Sequence, residues 1–129
     1  MYQVVRNHVV EDLQLKDGDK ELILHVDLSV DRILQQYAAA SKALVDAQAA
    51  VRSGITEERV EALGKAILGV FEVVFGPEQA GKLVEFYDES YTEMLADVAP
   101  FINDVVAPKI NEAQQRIVER YKNVKRFKK

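Results

Sequence analysis

Three residues in the stretch GPEQAGKL, positions 76–83, have the spacing of a phosphate-binding loop. Gly76, Gly81 and Lys82 match G-x-x-x-x-G-K up to the final Ser/Thr, where Leu83 stands. Such a loop works because successive backbone N–H groups surround the phosphates, the lysine reaches the outer ones, and a hydroxyl holds magnesium. Leu83 cannot ligate a metal, Pro77 removes one of the N–H groups, and Glu78 puts a negative charge inside an anion cradle. The loop also needs a core strand before it. Here the preceding VEALGKAILGVFEVVF has the spacing of an amphipathic helix, although FEVVF alone reads as a short strand. No strand–helix alternation follows to build a parallel sheet, and no apolar run ends in the aspartate that supplies the usual second magnesium contact. The stretch reads as a junction between two helices.

Other chemistry is sparse. His8 and His25 both fall where a β-hairpin is predicted, on its polar face or near its open end, without further ligands at metal-site spacing. Glu93 and Asp97 sit four apart on a predicted helix and could begin an acid/base or metal constellation. Neither a Glu-x-x-His partner nor a nucleophile accompanies them, so a solvated helix face is the reading. Cysteine is absent, which excludes disulfides, thiol catalysis and thiolate metal sites. The expectation is a protein that is not an enzyme, with no catalytic, cofactor-binding or metal-binding residues.

Composition and charge set the class. The 129 residues are 48% hydrophobic and 29% charged, a globular balance with enough chain for one domain and a real core. No apolar run approaches the roughly 20 residues that span a bilayer, and MYQVVRNHVVEDLQL lacks the pattern of a signal peptide. A cytoplasmic location without membrane attachment is expected. Six of the 17 basic residues fall in the last ten positions, while residues 1–119 carry 11 basic residues against 21 acidic ones. An acidic body with a basic end points to an anionic partner or to self-complementary charge between copies.

The elements follow from periodicity. In ELILHVDL the apolar Leu22, Leu24, Val26 and Leu28 alternate with Ile23, His25 and Asp27, as in a strand with one buried face. HVVEDLQL supplies a partner strand, and Asp17-Gly18 a two-residue hairpin turn that places Leu13 opposite Leu22 and Val9 opposite Val26. Ser29 suits the N-cap of an alanine-rich helix ending at Gly54, and Thr56 caps a second whose stripe is Val60, Leu63, Ile67, Val70, Phe71 and Val74. Pro77 opens a short third helix, PEQAGKLVEFYDE. Ser90 and Glu93 form a capping box for a long last helix, in which Pro100 and Pro108 predict kinks or breaks. The fold class is α+β in a single domain: a β-hairpin over 1–28, a mainly helical body of about four helices over 29–119, and a basic tail over 120–129.

Protein-binding features are what remain. Tyr87 and Tyr91, four apart beside an acidic break, have the character of interface anchors. Ile110, Ala113, Ile117, Tyr121 and Val124 recur at 3-4-4-3 spacing, a seam suited to pairing with another helix. The candidate partner-binding residues are therefore Tyr87, Tyr91, Ile110, Ile117, Tyr121 and Val124. The end RYKNVKRFKK interleaves Tyr121 and Phe127 with cations. Nucleic-acid binding through it is the alternative reading, opposed by the acidic body.

Over residues 10–115 the chain resembles the tail assembly chaperones of long-tailed bacteriophages and prophages, particularly those of Gram-positive hosts. The resemblance is carried by LKDGDKELILHVDL, by Phe75, Gly76, Glu78, Lys82, Leu83, Phe86 and Tyr87, by Tyr91, Glu93, Met94 and Leu95, and by Pro100, Phe101, Ile102, Val105 and Pro108. It implies a non-enzymatic protein that coats the aggregation-prone tape-measure protein while tail-tube subunits polymerise around it. It also implies action in the host cytoplasm, absence from the mature virion, self-association, and in many members a longer form made by ribosomal frameshifting. The end KRFKK is compatible with the A-rich codons at which such slippage occurs.

Overall fold

The structure is a computed structural model. It describes residues 1–3 and 8–127, with the side chains of Asp31, Tyr121 and residues 123–127 outside the description. A two-stranded antiparallel sheet, β1 (His8–Asp17) and β2 (Lys20–Ser29), precedes five helices, α1 (Val30–Ser53), α2 (Glu57–Phe75), α3 (Pro77–Phe86), α4 (Tyr91–Phe101) and α5 (Ala107–Phe127). The architecture is α+β, with a π-helical segment, Ile102–Val106, between α4 and α5.

The hairpin turns one residue later than the dipeptide Asp17-Gly18 suggests. Gly18 and Asp19 form the loop, and Asp17 pairs with Lys20 across its base. Gly18 has φ +61° while Asp19 has no positive φ, which matches a type II′ turn with glycine at its first central position. Leu13 therefore faces Leu24, not Leu22, and Val9 faces Leu28, not Val26. The shift is even in register, so the inward faces survive it. Val9, Leu24 and Val26 are buried, with Leu13, Leu15, Leu22 and Leu28 packed around them. Glu11 also lies on this inner face and forms an ion pair with Lys109 of α5.

Helix starts differ in how they are closed. The Thr56 side chain accepts from the Arg59 N–H at 3.1 Å, as its residue type predicts. Ser29 and Ser90 hold the N-cap positions of α1 and α4, yet neither side chain makes a capping hydrogen bond, so the expected capping box at Ser90 does not form. The third helix stops at Phe86, short of the predicted end. Asp88 and Glu89 follow with φ of 51° and 64°, left-handed conformations that a helix cannot contain.

Neither proline interrupts the last helix. Pro100 lies inside α4 and Pro108 is the second residue of α5, and the backbone between them widens into the π-helical segment. Pro108 has no N–H to give the carbonyl four residues back, and its ring crowds that carbonyl. The Ala107 N–H instead reaches five residues back, to the Ile102 carbonyl. The irregularity is absorbed by widening.

The core gathers the inner face of the hairpin, the second half of α2, one side of α3 and α4, and the first turns of α5. Ile67, Phe71, Leu83, Met94, Val98 and Val106 are fully buried there, and no polar or charged side chain is buried among the described residues. From Leu34 to Ala66 not one residue is buried. Leu34, Tyr37, Ala40, Leu44 and Leu63 still pack against the edge of the core, and the stretch between Leu44 and Leu63 projects beyond it as a two-helix arm.

Candidate interaction surfaces

The junction at Gly76 organises one face of the molecule. The second helix runs unbroken through FEVVF to Phe75, and Gly76 takes φ 85°, ψ 157°, a conformation that essentially only glycine adopts. This reverses the chain so that Pro77 can start α3. Leu83 is fully buried in the core, whereas Lys82 is exposed and 3.9 Å from Glu78 one turn earlier on the same helix. Packing uses the leucine where a nucleotide site would need a hydroxyl.

Gln79, two residues beyond the proline, ties the junction to the sheet. Its Oε1 accepts from the His25 N–H, and its Nε2 donates to the His25 carbonyl, each at 2.7 Å. The same Nε2 donates to the Phe75 carbonyl, also at 2.7 Å. A single carboxamide thereby occupies the edge of β2 as a neighbouring strand's peptide group would, and links α2, α3 and the sheet. Covering an edge in this way also blunts it against pairing with other chains.

Beside Gln79 lies a cleft of about 550 Å³, between the end of β2, the first turns of α1 and the end of α2, with Arg32 and Glu72 on its walls. Both histidines reach it. The His8 Nδ1 is 2.8 Å from Asp27 Oδ1, and the His25 Nδ1 is 2.6 Å from Asp12 Oδ1, two cross-strand pairs on the outer face of the hairpin. Among the described residues no group of three or more His, Cys, Asp or Glu is placed to hold a metal ion.

The sequence-derived binding residues separate into three settings. Tyr87 and Tyr91 are half-buried and pack against the core. The Tyr91 ring lies over Gly64 of α2, where an added Cβ would sit 3.4 Å from the ring. A glycine inside an otherwise regular helix is the sequence signal that could have located this close approach. Ile110 is only 3% exposed and belongs to the core, so it is not available to a partner. Ile117 is half-buried on α5, beyond Ala113, the last buried residue among those described, while the side chains of Tyr121 and Val124 lie outside the description.

Tyr87 marks a second, acidic hollow of about 200 Å³ where the α3–α4 turn meets the hairpin loop. Its hydroxyl donates to Asp97 Oδ2 at 3.0 Å, a contact ten residues apart that no helical spacing predicts. Burial, the bond to Asp97 and the charges of Asp97 and Glu93 all push the phenol well above its ordinary value of 10.0. A raised value means that the folded state keeps a proton the unfolded chain releases. The stabilisation is present below pH 10 and is lost as pH rises through the folded value. In an ultraviolet titration Tyr87 is expected to ionise in a late phase, above the ordinary phenol range. Tyr87→Phe should remove that late phase and flatten the fall of stability above about pH 10.

Among the described residues no helix is long and apolar enough to cross a membrane. Comparison with family models, curated proteins and solved structures finds no match.

Proposed function

We propose that this chain is a non-enzymatic assembly chaperone of a long-tailed bacteriophage or prophage. It holds a helical, aggregation-prone tape-measure protein and helps recruit tail-tube subunits, acting in the cytoplasm of the bacterial host and leaving before the particle is complete. The supporting observation is the two-helix arm. A helical client needs an apolar helix face to lie against. The arm offers Val45, Ile55 and Val60 at 62%, 80% and 50% exposure, beside half-covered Ala47 and Val51.

Co-expression with the tape-measure protein encoded in the same genome tests the reading. The client is expected in the soluble fraction with the intact chain and in the pellet without it. Val45→Glu combined with Val60→Glu should abolish the rescue while leaving the unfolding midpoint of the chaperone unchanged. Equal client solubility with and without the chaperone would sink the proposal.

One observation favours a second reading. Arg116, Arg120 and Lys122 are exposed on α5 and enter no ion pair among the described residues. A nucleic-acid-associated or regulatory protein acting through this basic end would bind DNA or RNA in a salt-sensitive way, and would lose that binding when residues 120–129 are removed.

A further inference from the structure

Hydrogen-bond phase decides which backbone groups of β2 face away from β1. Asp17 and Lys20 close a two-residue loop, so they exchange both of their hydrogen bonds. In this register every even residue of β2 then bonds to β1, and every odd one turns its N–H and C=O to the open side. Gln79 gives the same phase independently, since it binds both groups of His25 from that side. Two residues on, the N–H and C=O of Asp27 point the same way, and so does the N–H of Ser29. Among the described residues no hydrogen bond reaches these three groups, and the sheet has no third strand. The Ser29 hydroxyl, which makes no capping bond, stands beside them.

Asp27 and Ser29 line the 550 Å³ cleft, so this part of the edge meets open space where His25 meets Gln79. A cleft of that size lies within the roughly 300–1,000 Å³ of pockets that enclose small ligands. An α-helix has spent its backbone groups internally and offers the edge nothing. An extended chain offers alternating N–H and C=O groups, and repeats at Asp27 the pair of bonds that Gln79 makes at His25.

The side chains around the edge set the chemistry of that chain. A strand added beside β2 alternates its side chains between the two faces. The residue opposite Asp27 lies on the outer face, next to a carboxylate whose Oδ1 holds His8 and whose Oδ2 has no partner among the described residues. A lysine or arginine there makes a cross-strand charge pair. Its two neighbours turn inward, to an apolar lining that includes Leu28, Ile33 and Val73, where β-branched side chains fit. The ionised groups of the cleft are two carboxylates, Asp27 and Glu72, and one guanidinium, Arg32, a balance that also favours a cation.

We propose that this cleft is a binding site for an extended peptide segment of a partner protein, which adds as an antiparallel strand to the edge of β2 at Asp27. The segment carries a basic residue between two β-branched apolar ones. The Gln79 carboxamide bounds the site on one side and the start of α1 bounds it on the other. The site does not rest on the chaperone reading, whose client is helical, and either can fail alone.

Amide NMR spectra of the full chain, titrated with the end-blocked peptide Thr-Val-Lys-Val-Thr, test it. Saturable shifts centred on the Asp27 and Ser29 amides are expected, with a Kd on the order of 1 mM or below. Methylating the lysine N–H of the peptide removes its bond to the Asp27 carbonyl and should weaken binding at least about fivefold. Methylating the N–H of the following valine, which points away from the edge, should change it less than about twofold. Charge reversal gives a second check: Asp27→Lys should lose the lysine peptide and bind its glutamate counterpart instead. Three results would each overturn the proposal: no saturable shift at Asp27 and Ser29, equal effects of the two methylations, or binding by Asp27→Lys that ignores the charge of the peptide.

Discussion

Replacing Phe71 by alanine is expected to lower the unfolding free energy by about 3–5 kcal/mol, the range for emptying a buried phenylalanine site. Phe71 is fully buried near the C-terminal end of α2, and its ring centre lies 6.3 Å from that of Phe75 at an interplanar angle of 51°. Phe75 in turn stacks on Phe101 at 6.3 Å and 12°. The ring therefore supports an aromatic row that joins α2 to the end of α4. Removing it takes away its own burial and leaves a void in the core that its neighbours fill only in part. Since domains of this kind are stable by only about 5–15 kcal/mol, the loss is a large share of the total. Urea unfolding followed by circular dichroism should order the midpoints as parent, Phe71→Leu, Phe71→Ala. A Phe71→Ala midpoint within error of the parent would show that Phe71 is not central to the packing.

Gln79→Ala is expected to cost about 1–3 kcal/mol, from three hydrogen bonds each worth about 0.5–1.5 kcal/mol net and partly replaced by water. More telling is Gln79→Glu. The carboxylate still accepts from the His25 N–H, but it turns a negative oxygen toward the carbonyls of His25 and Phe75, where the amide had donated. At pH 7 this variant should be less stable than Gln79→Ala. Repulsion raises the folded pKa of the new carboxyl, so the deficit should shrink as pH falls toward about 4 and the group takes up a proton that can face a carbonyl. Equal stability of the Glu variant and the parent at pH 7 would contradict the hydrogen-bond assignment.

These two residues show where sequence reasoning reaches and where it stops. Position in the stripe Val60, Leu63, Ile67, Val70, Phe71, Val74 assigns Phe71 to the core, because periodicity records which side of a helix is covered. The same logic fixed the inward faces of the hairpin. It leaves the turn uncertain by one residue, because Asp17-Gly18 and Gly18-Asp19 are both acceptable hairpin loops and alternation alone accepts either. Caps were legible only in part: Thr56, Ser29 and Ser90 are equally good by type, and only Thr56 turns its oxygen onto the helix. Gln79 gave no signal at all. Its partner strand is 54 residues away, and a glutamine on a half-exposed helix looks the same whether it meets water or a sheet edge. Ile110 shows the reverse error, since a heptad seam states that a helix face is covered without saying whether by its own chain or another.

The π-helical segment between the two prolines also counts residues. A π turn carries one residue more than an α-helix needs over the same span, so every side chain downstream is rotated by about 100° relative to an unbroken helix. Ile110 and Ala113 point into the core, and Arg116 and Arg120 out of it, only with that extra residue in place. A one-residue deletion between Ile102 and Val106 would leave the composition of α5 untouched and turn its buried stripe toward water. The spacing of this helix is thus written partly outside it, in the length of the five-residue segment that precedes it.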